Sequence, residues 1–234
     1  KQQSRREDDS FNLMMKTRDP ELIWDMLQRR VRRTQGFVCH FTLTEFNRIM
    51  DGLENNSTSD LRNAARDLKE ERQRLKRLRR QELMVLRRVP YDIAIERNTW
   101  FHLGANSNQQ LLYTLQRMLE PIKEHVDNSF TPLSPALCEE FQPMRRAIND
   151  LMKGTADDID TNKYDNYREI LSQADACKDE LSVLRKQHID RMQAHADASQ
   201  MQIDLLYLNV LRESQQLLSN MRHQLRAAKK FMGN

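Results

Sequence analysis

Two pairs of carboxylates are the side chains best placed to do chemistry. Asp67 and Glu71 are four residues apart, and Asp175 and Asp179 repeat that spacing 108 positions further on. On a helix, residues four apart share a face, so each pair sets two negative charges one turn from each other. A shared hard or borderline cation, divalent or ferric, relieves that repulsion. The alternative is a solvated helix face, since acids at this spacing are common there. At about 100° per residue, Glu71 falls in the apolar seam of its helix, whereas Asp175 and Asp179 point away from theirs. The second feature is a basic run: Arg72, Arg74, Lys76, Arg77, Arg79 and Arg80. From Arg72 to Arg88 eight Lys/Arg stand against one acid, Glu82. Such a run is either a solvated face or a surface for anionic lipid, phosphate or nucleic acid. The acids Asp157, Asp158 and Asp160 offer an internal partner instead. No Gly-rich phosphate loop, Cys-x-x-Cys, His-Glu-x-x-His or nucleophile elbow occurs, so no enzyme is expected. His102, His125, His188, His195 and His223 are scattered along helical segments and read as ordinary packed or exposed histidines.

The elements that position these residues are helices. Five Gly and six Pro in 234 residues are too few for a turn-rich β fold. Leu, Met, Gln, Arg and Glu dominate, and all favour helix. No run of about 18 apolar residues is present to span a membrane, and the charged start carries no apolar leader core. The chain opens on Lys1 and reads as a piece of something longer. Cys39, Cys138 and Cys177 are distant and odd in number, which suits a reducing compartment better than a disulfide scaffold.

Capping signals divide the chain. Asp19-Pro20-Glu21 opens a helix expected to stop near Gly36. Thr42-Leu43-Thr44-Glu45 is a capping box, with Phe41 and Phe46 as its hydrophobic staple, for a second short helix ending at Gly52. A long helix over about 61–89 ends at Pro90. Another runs from Tyr91 to about Val126, with a kink expected at Pro121. Ser134-Pro135 starts a helix to Met152 that ends at Gly154. A polar, acidic connector is expected over Thr155–Lys163, then long helices over about Tyr164–Ala196 and Ala198–Met232.

Gln109-Gln110-Leu111-Leu112 recurs as Gln215-Gln216-Leu217-Leu218, 106 residues on. Each half reads short helix, long helix, long helix, which suggests a duplicated three-helix unit. Leu61, Ala64, Leu68, Leu75, Leu78, Val85 and Val89 form the seam of one second helix. Tyr167, Leu171, Ala174, Cys177, Leu181 and Leu184 form the other.

Glu124-His125-Val126-Asp127-Asn128-Ser129-Phe130-Thr131-Pro132-Leu133 resembles a linker in the cytoplasmic C-terminal region of bacterial inorganic phosphate transporters. So do Leu206 to Gln216 and Met221 to Phe231. That region is PhoU-like, built of two three-helix repeats. The resemblance runs from about Arg62 to Phe231. It implies an all-α bundle, with residues 1–57 as a connecting segment with short helices, 58–130 as the first repeat and 131–234 as the second. It further implies a regulatory domain at the cytoplasmic face of the bacterial inner membrane. Its partner would be the membrane-embedded phosphate-transport domain of the same polypeptide, with a homodimer or an anionic lipid surface as further partners. The family carries acid-x-x-x-Asp metal motifs, which Asp175 and Asp179 fit and Asp67 and Glu71 fit loosely. No nucleic-acid partner is implied. The runner-up reading is a helical adaptor that binds a protein or RNA through the Arg-rich helix.

Overall fold

The computed structural model describes residues 1–195 and 197–234. It consists of seven helices: α1 (Gln2–Lys16), α2 (Pro20–Glu54), α3 (Thr58–Leu86), α4 (Tyr91–Asp127), α5 (Pro135–Thr161), α6 (Tyr167–Ala194) and α7 (Ala198–Phe231). Among the described residues there is no strand, and the fold is an all-α bundle. The starts follow local chemistry. Asp19 accepts from the Glu21 amide, Ser57 from Asp60, Ser134 from Leu137 and Asp197 from Ser199, so each relieves one orphan donor of its helix.

Three expectations about punctuation are corrected. α2 is one helix of 35 residues where two short ones were expected. The Thr42 hydroxyl donates back to the Val38 carbonyl and caps nothing. Gly36 is buried against α5, where an added Cβ would meet the Asp160 carboxylate. α5 likewise runs through Gly154 to Thr161, so Thr155–Lys163 is not an acidic connector. Thr155, Ala156 and Ile159 are buried, and tertiary packing overrides the polar composition. The true stop is Asn162 in the left-handed conformation (φ 55°). The third correction is α1, a helix at the N-terminus that the capping signals did not mark. α6 ends at Ala194, and its expected end at Ala196 lies outside the described residues.

α2, α4, α5 and α7 form the centre. α3 lies on α2 and α4, α6 lies on α5 and α7, and α1 lies on α3 and α2. One core runs through α2 to α7, with Phe46, Leu75, Leu115, Phe141, Leu181 and Tyr207 all buried in it. Residues 1–57 are therefore no mere connecting segment, because α2 is a central helix of the bundle. Its first half carries a second core, where Ile23 and Leu27 meet Met14, Val85, Phe101 and Phe231. α2 and α3 touch where Gly52 meets Leu61, and a Cβ at Gly52 would be 2.6 Å from Leu61 Cδ2.

Contacts recur at the sequence offset. Arg79 donates to Gln109 Oε1 at 3.0 Å, and Arg185 donates to Gln215 Oε1 at 3.3 Å. Ala64, Leu68, Glu71, Leu75 and Glu82 are buried on α3. The positions 106 further on, Ile170, Ala174, Cys177, Leu181 and His188, are buried on α6.

Candidate functional site: the basic face of α3 and its partners

The apolar stripe of α3, from Leu61 to Val85, turns its cations to the flanks. One flank meets α4. Arg72 donates to Gln116 and lies 4.6 Å over the Tyr113 ring, while Arg79 reaches Gln109. The other flank meets α1. Glu7 accepts from Arg74 at 2.6 and 2.8 Å and from Arg77 at 2.7 Å. Arg74 also covers the Phe37 ring at 4.2 Å. Lys76 and Arg80 are the two members of the run that stay exposed.

The acids that hold this run are thus Glu7 and Asp8 of α1 with Glu71 of α3 itself, not Asp157, Asp158 and Asp160. Asp160 pairs with His40 at 2.7 Å. Asp158 is buried on α5, and burial with the neighbouring Asp157 charge pushes its pKa up to about 6. Nothing in the charge run alone pointed to Glu7. The spacing of Phe11, Met14 and Met15 on an amphipathic α1 is the signal that would have found it.

Beneath this surface lies a buried pair. Glu82 accepts from the Thr34 hydroxyl at 2.8 Å, and its carboxylate stands 3.8 Å from Arg30 Nε. Burial pushes the Glu82 pKa up to about 7, against the pull of Thr34 and Arg30. Arg30 also donates to the Glu7 carbonyl at 2.9 Å and to the Gln81 side chain.

Three of the four carboxylates, Asp67, Glu71 and Asp175, are engaged by arginines. Asp67 accepts from Arg48 at 2.5 Å and from Arg66 at 3.2 Å. Glu71 is buried in the seam, as its spacing indicates, and accepts from Arg74 at 2.6 Å. Asp175 pairs with Arg222 of α7 at 3.1 Å, and Asp179 is exposed. Among the described residues, no three His, Cys, Asp or Glu side chains converge as a metal cluster would require.

His188 is more than an ordinary packed histidine. It is buried where α5, α6 and α7 meet. Its Nδ1 is 2.9 Å from the Arg191 guanidinium and its Nε2 is 3.2 Å from Asp204 Oδ1. Arginine only donates, so Nδ1 accepts and the proton of the neutral ring sits on Nε2, which lies near Asp204 but makes no hydrogen bond. Burial and the Arg191 charge lower the His188 pKa. Arg191 holds both oxygens of Glu140, at 2.7 and 3.0 Å, and Tyr207 donates to Glu140 at 2.8 Å. The network ties three helices together through charge-assisted bonds.

No protein-family model, no curated protein and no solved structure matches this chain.

Proposed function

We propose that this chain is a regulatory domain of an inorganic phosphate transporter, a helical bundle that gates or scaffolds transport and catalyses nothing itself. The reading rests on the sequence resemblance over Glu124–Leu133 and Leu206–Phe231. The observation that carries it furthest is the recurrence of the Arg79–Gln109 pair as Arg185–Gln215, at the offset of the repeated Gln-Gln-Leu-Leu. A duplicated three-helix unit accounts for both. The helix order supports taking α2, α3 and α4 as one unit and α5, α6 and α7 as the other. On this reading the first unit begins near residue 20 and not at residue 58.

The domain acts through surface and stiffness. Helices of about 30 residues are about 45 Å long at 1.5 Å per residue, enough to carry a change at one end of the bundle to the other. Lys76 and Arg80 remain outward on α3. Beside an anionic leaflet each is worth about 1 kcal/mol. Metal binding at Asp175 and Asp179 belongs to the same reading. It requires Arg222 to release Asp175.

The open reading frame that encodes this chain tests the proposal. About ten apolar segments of about 20 residues are expected in it, together with phosphate uptake that changes when residues 1–234 are deleted. A frame without such segments, or uptake indifferent to the deletion, overturns it.

A further inference from the structure

α1 does not close completely on the bundle. Between it, α2 and α3 lies a cleft of about 610 Å³, within the roughly 300–1,000 Å³ range of small-molecule sites. Its walls carry Lys1, Arg6, Arg30, Arg33 and Arg74 against one carboxylate, Glu7. That carboxylate is already engaged by Arg74 and Arg77. Arg6 and Arg33 are exposed at the rim. Among the described residues, neither has a hydrogen bond or ion-pair partner. Arg30, by contrast, is only 6% exposed, and its Nε makes no hydrogen bond. That Nε stands 3.8 Å from the Glu82 carboxylate, and the other two nitrogens bond the Glu7 carbonyl and Gln81, so Arg30 enters the cleft as a buried cation held in place.

We propose that this cleft binds a small polyanion carrying two or more phosphate groups, such as a nucleoside triphosphate or inorganic tripolyphosphate. Guanidinium groups match phosphate oxygens in paired hydrogen bonds, and several of them on separate walls favour a ligand with several anionic centres over a single ion. Arg30 supplies the floor, Arg74 one wall, and Arg6 with Arg33 the rim. The ligand would lie against both α1 and α2 and so hold α1 down. This assignment does not depend on the transporter reading, since it uses only the cleft and its charges.

Isothermal titration of the whole chain with ATP, tripolyphosphate and orthophosphate tests it. At about 0.15 M salt, where exposed charges are screened beyond about 8 Å, one saturable site is expected for ATP, for tripolyphosphate or for both. Tripolyphosphate binding as tightly as ATP identifies phosphate chains as sufficient. ATP alone identifies a nucleotide. Arg6→Gln with Arg33→Gln changes exposed residues, so it leaves folding intact and is expected to weaken binding at least about tenfold. Lys76→Gln with Arg80→Gln, on the same helix as Arg74 but outside the cleft, leaves affinity within about twofold. Three results overturn the proposal: no saturable binding, orthophosphate binding as tightly as the polyanions, or greater loss from the Lys76/Arg80 pair than from the Arg6/Arg33 pair.

Discussion

Thr114 and Asn220 stand 106 positions apart in the chain, yet Asn220 Nδ2 donates to Thr114 Oγ1 at 3.1 Å across the interface of α4 and α7. That separation equals the offset of the repeated Gln-Gln-Leu-Leu. Under the proposed duplication, equivalent positions meet each other, as they do beside a two-fold axis. Thr114 is fully buried and Asn220 nearly so. Thr114→Val should strand the Asn220 amide and cost about 1–3 kcal/mol. Adding Asn220→Ala removes the stranded group as well, so the double variant should lose clearly less than the sum of the singles. Urea unfolding of all four proteins reads the coupling; additive losses would deny it.

Gly52→Ala separates intrinsic helix preference from packing. Alanine favours a helix interior by about 1 kcal/mol over glycine. Here its Cβ would sit 2.6 Å from both Cγ and Cδ2 of the fully buried Leu61. Overpacking of this kind costs about 1–3 kcal/mol, so a net loss of stability is expected. A thermal midpoint above wild type would show that α2 and α3 separate freely.

The contribution of Glu82 to stability should fall as pH rises from about 4.5 to about 7. Glu82 titrates near 7 in the folded chain because burial disfavours its charge, and near 4.3 when unfolded. Between those values the folded state holds a proton that the unfolded state has released, so unfolding is favoured by each step up in pH. At 1.36 kcal/mol per pKa unit, Glu82 alone accounts for roughly 4 kcal/mol, and above about pH 7 its contribution is flat. Glu45, raised to about 7, and Asp158, raised to about 6, act in the same direction. Glu82→Gln keeps an acceptor for Thr34 but cannot ionise. Its stability relative to wild type should therefore improve from pH 5 to pH 8. Parallel pH profiles for the two proteins would contradict the assignment.

Glu7 fastens α1 to α3. Glu7→Gln should weaken that contact and raise amide exchange over residues 2–12 by about tenfold, equivalent to ~1.4 kcal/mol, while α4 and α7 stay protected. It also releases the charges of Arg74 and Arg77. Binding to anionic vesicles at low salt should rise in this variant and fall in Lys76→Glu with Arg80→Glu. Unchanged exchange in α1 would mean that Met14 and its apolar neighbours hold the helix without the ion pairs.

Local chemistry was enough to establish much of this protein. The rarity of Gly and Pro, the caps at Asp19 and Ser134, and the three-and-four spacing along α3 each act within a few residues, so an all-α bundle with several of its helix starts was legible in the sequence. Glu71 fell in the apolar seam for the same reason. What failed were the signals that depend on context. Gly36, Gly52 and Gly154 looked alike, but only Gly52 lies near a helix end. Gly36 and Gly154 sit inside helices that continue past them, Gly36 beside Asp160 of α5 and Gly154 beside Ile170 of α6. Thr155 to Ile159 looked like solvent-facing chain, yet α5 buries most of it. The partners of the charges were beyond reach altogether. Glu7 lies 67 residues from Arg74, and Arg30 lies 52 from Glu82. A pairing at that distance is decided by how α1, α2 and α3 lie across one another. Periodicity shows which face of a helix is apolar, but not which helix that face will meet.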